Sequence, residues 1–92
     1  MRASARHILV STEAKCQELK EQINAGTLSF EEAARDNSTC PSGVKGGELG
    51  NFGQGQMVAE FDKVVFNDEV GVVHGPVQTQ FGFHLLEVTE RS

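Results

Sequence analysis

Apolar residues recur along this chain with two different periods. His7-Ile8-Leu9-Val10 is a short, partly β-branched run closed by Ser11-Thr12, the pattern of an inner strand. From Glu13 the spacing changes. Cys16, Leu19 and Ile23 fall on one side of a helix that Ser11 or Thr12 can cap and Gly26 can stop. Ser29-Phe30-Glu31-Glu32 has the Ser-x-x-Glu form of a capping box, and it starts a second helix whose buried side is Phe30, Ala33 and Ala34 and whose end is Asn37. The stretch from Ser38 to Gly43 predicts a loop with room for a single helical turn, in which Pro41 holds Cys40 extended.

Five of the ten glycines then fall within Gly46–Gly55, with a short strand expected near Glu48–Gly50. A helix is expected from about Met57 to Phe66, because Met57, Phe61, Val64 and Val65 stand at i, i+4, i+7 and i+8. Leu49 and Phe52 are bulky apolar residues set between glycines. They suit either a hairpin backed by a core helix or a shallow apolar pocket walled by Leu49, Phe52, Met57 and Phe61. Val77-Gln78 and Phe83–Val88 predict two strands joined as a hairpin through Thr79 to Gly82. Strand, helices, strand, helix and two strands make an α+β domain with a small antiparallel sheet.

Composition narrows the classes of partner. Ninety-two residues make one small domain, taken as residues 1–92, that buries a little over ~60% of its unfolded surface. The net charge is −5 and the lysines and arginines are scattered singly, which argues against nucleic acid and acidic membranes. No apolar run approaches the ~20 residues that span a bilayer, and no hydrophobic signal segment follows Met1. If the chain is a whole gene product, a cytoplasmic protein is expected. Cys16 and Cys40 do not form a disulfide framework and are expected as free thiols.

Chemistry-bearing side chains gather in three places. His7 shares a strand face with Leu9, and His84 shares one with Leu86 and Val88. If those strands are neighbours, both imidazoles lie on one side of the sheet, near the loop that carries Cys40. A Cys-His nucleophile also needs an orienting third group and an oxyanion site, and neither is visible. A zinc site lacks the C-x₂-C or H-x₃-H spacing. A non-covalent site remains, with hydrogen-bonding side chains on one side of an apolar pocket. A lone histidine opening an apolar strand is also an ordinary structural residue.

The residues from His7 to Arg91 resemble the parvulin-type peptidyl-prolyl cis/trans isomerases, in particular the small stand-alone bacterial, PpiC-type kind. The matching motifs are His-Ile-Leu-Val, Cys-Pro-Ser-Gly, Gly-Gly-Glu-Leu-Gly-x-Phe, Gly-Gln-Met with Phe61 four residues on, and Gly75-Pro76-Val77 leading to Thr79-Gln80-Phe81-Gly82-Phe83-His84. The resemblance implies a parvulin/FKBP-like α+β fold, a four-stranded antiparallel sheet wrapped by about four helices, one of them short. It implies that His7 and His84 are the family's paired histidines, Cys40 its active-site cysteine and Thr79 the hydroxyl linked to the pair. It implies a proline pocket of Leu49, Met57 and Phe61 with Phe52 and Gln56 beside it.

The same resemblance implies a monomer without cofactor or metal, acting on proline-containing peptides and on unfolded or partly folded proteins. Two departures from the phospho-directed relatives bear on substrate. The loop after strand one is only Ser11-Thr12-Glu13, with no cation to pair a phosphate, and Phe81 stands where those relatives carry a small polar residue. Both point to unphosphorylated substrates with an apolar residue before proline. Two alternatives stay open at this level: covalent attack by Cys40, and a parvulin-shaped module that binds proline segments without turning them over.

Overall fold

The structure, a computed structural model, describes residues 2–92. Strand β1 (Arg2–Val10) leads into helices α1 (Glu13–Asn24) and α2 (Phe30–Asn37) and a short 3₁₀ helix (Pro41–Lys45). Strand β2 (Glu48–Gly53), helix α3 (Ala59–Asn67), β3 (Val73–Thr79) and β4 (Gly82–Arg91) complete the chain. The strands form one antiparallel sheet in the order β2-β1-β4-β3. This is the expected α+β architecture, with three α-helices and a fourth, 3₁₀ helix that Pro41 opens.

Local chemistry sets the helix starts. Thr12 Oγ1 accepts the Lys15 N–H at 3.2 Å and caps α1. Ser29 Oγ accepts the Glu32 N–H at 3.1 Å and donates its own proton to the Glu32 carboxylate at 3.0 Å. The box is therefore closed between side chains rather than through the Ser29 backbone. Helix α3 begins at Ala59, later than the apolar spacing suggested, and Met57 belongs to the loop before it. Its buried residues are Phe61, Val65 and Phe66, while Val64 is only half-buried. Strand β1 starts at Arg2, ahead of the apolar run, because Ala3 and Ala5 are buried between polar neighbours and are too small to mark a strand in the sequence.

The sheet has a core on each face. On one, Ile8, Val10 and Leu85 pack against Cys16 and Leu19 of α1 and Phe30, Ala33 and Ala34 of α2. Burial pushes the Cys16 thiol up to about 11, so it stays protonated and behaves as a small apolar side chain. On the other face, Ala3, Ala5 and Val88 lie under Val65 and Phe66 of α3, with Phe52 from β2. The register between the central strands pairs His7 with Leu86 and Leu9 with His84. His7 and His84 are thus diagonal neighbours, and alternation turns both toward the α3 side.

Gly47 secures this placement. Its carbonyl accepts the His7 N–H at 2.9 Å, and its φ of +87° is open to glycine and costly for other residues. A Cβ there would collide with the carbonyl oxygen of His7. Gly47→Ala is expected to lower the unfolding free energy by about 2–4 kcal/mol, measured by urea denaturation. A loss below about 1 kcal/mol would show that the backbone at His7 yields without strain.

Candidate functional site

The two imidazoles face each other edge to edge inside the sheet. His7 Nδ1 and His84 Nδ1 are 3.2 Å apart, and the rings lie 5.4 Å between centroids at 19°. Both are buried, at 4% and 3% exposure. Phe61 of α3 covers them, with its ring edge-to-face on His84 at 4.6 Å and on His7 at 5.5 Å. Burial disfavours the imidazolium and pushes each histidine down to about 4. For His84 the neighbouring His7 adds to the depression and Glu60 opposes it. Burial leaves both rings neutral at physiological pH, and the Nδ1···Nδ1 contact, with room for one proton, excludes a doubly charged pair.

The outer nitrogens extend this contact into a chain. His84 Nε2 lies 2.7 Å from Thr79 Oγ1, and His7 Nε2 lies 3.0 Å from Ser42 Oγ, which in turn lies 3.4 Å from Cys40 Sγ. The Phe81 N–H donates to Thr79 Oγ1 at 3.2 Å. Run in one direction, every N–H and O–H proton of the chain has an acceptor. Thr79 O–H donates to His84 Nε2, His84 Nδ1–H to His7 Nδ1, His7 Nε2–H to Ser42, and Ser42 O–H to the Cys40 sulfur. Run the other way, Thr79 accepts from both His84 and Phe81, and its own proton has no acceptor among the described residues. Donor counting therefore assigns the first direction, with His84 protonated on Nδ1 and His7 on Nε2.

Beside this chain lies an apolar hollow of about 400 Å³. It is lined by Leu49, Met57, Val58 and Phe61, by Leu9, Thr39, Cys40 and Pro41, by the exposed Phe81 and by the two buried histidines. No lysine or arginine is among its lining residues. Leu49 reaches the hollow from a bulge, since Ala5 pairs with Gly50 and Arg6 with Glu48, which leaves Leu49 unpaired in the ladder. Cys40 is held extended before the 3₁₀ helix, and its segment is tied to β1 by Ser38 Oγ accepting the Leu9 N–H at 3.0 Å and the Thr39 N–H donating to the Leu9 carbonyl at 2.8 Å.

The structure brings together His7, Cys40, His84, Leu49, Met57, Phe61 and Phe81 around this hollow. Thr79 stands behind His84, joined to it and outside the lining. Two residues expected beside the pocket are placed elsewhere. Phe52 pairs with Ala3 and so points into the core, where it meets Phe66 edge-to-face at 6.1 Å. Gln56 folds back on its own turn, and its side-chain oxygen accepts the Gly53 N–H at 2.6 Å. Ser42, which links the thiol to the histidines, carries no periodic signal in the sequence. Leu9 had one, because it alternates with His7. Among the described residues no group of three or more His, Cys, Asp or Glu side chains is arranged to hold a metal ion.

Comparison with known proteins identifies the domain and its fold. The family model of the PPIC-type PPIase (rotamase) domain matches residues 5–90. A foldase protein PrsA of Exiguobacterium sibiricum is 43% identical over 95% of the chain, which spans 29% of that relative. The crystal structure of PrsA from Bacillus subtilis superposes with a TM-score of 0.90 at 38% identity, covering 98% of this chain and 35% of that one. The solution structure of NmPin, the parvulin of Nitrosopumilus maritimus, superposes with a TM-score of 0.84 at 32% identity and covers 95% of this chain and 94% of its own. The chain thus spans under a third of the length of the PrsA relative and nearly the whole of a parvulin. The family model and the solved structures agree, and the chain belongs to the PpiC-type peptidyl-prolyl cis/trans isomerase (rotamase) family.

Proposed function

We propose that the protein rotates X-Pro peptide bonds in unphosphorylated segments whose residue before proline is apolar, and so assists the folding of proline-containing proteins. The observation that carries the proposal is the apolar hollow with a neutral hydrogen-bonded chain along one side. An X-Pro bond turns over in tens to hundreds of seconds unaided, against a barrier of ~18–20 kcal/mol set by amide resonance. No bond breaks, so the task is to bind the twisted amide better than either planar form.

The proline ring fits against Leu49, Met57 and Phe61, which fixes one end of the rotating bond. A volume of about 400 Å³ leaves room for the residue before it, toward Phe81 and Leu9. The apolar walls strip water from the amide, and that water favours the planar, charge-separated form. The carbonyl swings past Cys40 on the polar side. A reduction of ~5–7 kcal/mol in the barrier corresponds to about four to five decades of rate.

Cys40 serves as a polar neighbour in this scheme. Its sulfur contacts Ser42 and is two hydrogen bonds removed from the nearest imidazole nitrogen, so no base stands ready to activate it for attack. A monomer in a reducing compartment such as the cytoplasm completes the proposal, the compartment supported by two free thiols.

Three measurements test this. In an NMR exchange or protease-coupled assay, a Leu-Pro peptide should be turned over at least about tenfold faster than a phospho-Ser-Pro peptide, because a phosphate at the rim meets no cation. Equal rates would overturn the substrate assignment. Cys40→Asp should keep activity well above the uncatalysed rate, and collapse to that rate would favour a covalent route.

The third concerns pH. Unfolded imidazoles take up protons near pH 6.5, whereas the folded pair resists until about 4. Between those values the unfolded state binds more protons, so stability is complete above about pH 6.5 and falls as pH drops toward 4, by up to about 1.4 kcal/mol per pH unit for each ring. The imidazole ¹⁵N shifts of His7 and His84 should hold their neutral values at pH 5.5. Titration of both near 6.5 would contradict the neutral pair.

A further inference from the structure

The wall that grips the proline ring includes Met57 and Val58, which lie in the loop between β2 and α3 rather than on either element. That loop, Gly53–Val58, is tied from within at its start, where Gln56 Oε1 accepts the Gly53 N–H at 2.6 Å. Its internal backbone bond, from the Gln56 N–H to the Gly53 carbonyl, is 3.3 Å long. Val58 is the N-cap residue of α3 and supplies no side-chain cap. Gly55 sits in the left-handed region at φ +80°, so its N–H is turned away from any ladder.

One side chain reaches that N–H. Asp62, in the first part of α3, accepts it through Oδ1 at 2.8 Å. The acceptor is a carboxylate oxygen, and the bond joins the loop to the helix rather than to itself. Phe61, the neighbour of Asp62 in α3, projects into the hollow and covers both histidines. Asp62 therefore joins the helix that presents Phe61 to the loop that presents Met57 and Val58.

We propose that Asp62 is a positioning residue for the proline-binding wall, clamping Gly55 so that Met57 and Val58 are held in the lining of the hollow. This deepens the isomerase proposal and rests on the hollow being where proline binds. Without the clamp, a loop with glycines at 53 and 55 samples more conformations, and only a fraction of them present a closed wall. Substrate and transition state lose that wall alike, so KM rises and kcat holds.

The test compares wild type, Asp62→Ala and Asp62→Asn. Asparagine keeps an oxygen acceptor for Gly55 and loses the charge that favours the helix N-terminus. Asp62→Ala is expected to raise KM for a Leu-Pro peptide about three- to tenfold with kcat within about twofold. It should also speed exchange of the Gly55 amide proton in ¹⁵N NMR. Asp62→Asn should restore both toward wild type, although its thermal midpoint falls with the lost charge. Equal KM increases in both variants, or unchanged KM and unchanged Gly55 exchange in Asp62→Ala, would overturn the assignment. If wild type turns over no X-Pro peptide, the isomerase proposal fails by itself, and the Gly55 exchange arm still decides the clamp.

Discussion

The site rests on one hydrogen bond between two neutral imidazoles on adjacent strands. A buried histidine is costly when charged and unsatisfied when alone, and the diagonal register of His7 and His84 removes both problems. Each ring gives the other a partner for its inner nitrogen. Thr79 and Ser42 take the outer ones, so no buried side-chain nitrogen or oxygen among the described residues lacks a partner. Phe61 then closes over the pair edge-on, which keeps water away and holds the protonation state fixed.

The same strand that carries His7 also gathers the rest of the polar side. Strand β1 pairs with β2 only as far as Arg6. Beyond that point the chain from Ser38 to Gly47 takes over the free edge, through Gly47 to the His7 N–H, Ser38 to the Leu9 N–H and Thr39 to the Leu9 carbonyl. An edge that would otherwise be open is thereby covered by the loop that holds Cys40 and Ser42. Fold closure and site assembly are achieved by the same few bonds, which is why a single Cβ at Gly47 threatens both.

Much of this was legible in the sequence where period and capping agree. The Ser29 cap, the α1 face of Cys16, Leu19 and Ile23, and the hairpin turning at Gln80-Phe81 all follow local rules that tertiary structure did not override. The pairing of His7 with His84 depended on strand order, which alternation alone does not give. Met57 fitted a helical period because one more residue at i−4 of Phe61 always does, and only the backbone at Gly55 and Val58 shows that the helix has not yet begun. Phe52 looked like a pocket residue beside Leu49, but its pairing with Ala3 sets it farther along the sheet from His7, in the core under α3. Ser42 was invisible because its importance lies in two contacts across the fold, not in its neighbours.

The arrangement is poorly suited to bond cleavage and well suited to bond rotation. Cleavage would require a proton to leave the thiol for a base, and the chain places Ser42 between Cys40 and His7, with both imidazoles depressed to about 4. Rotation asks for something else: a fixed ring, a carbonyl freed from water, and neighbours whose dipoles do not favour the planar amide. A run of neutral hydrogen bonds has each N–H and O–H donor already engaged along the chain, so it offers the planar carbonyl little in exchange for the water it loses. The planar form is therefore the one the hollow leaves poorly solvated, and twisting relieves rather than adds to that deficit.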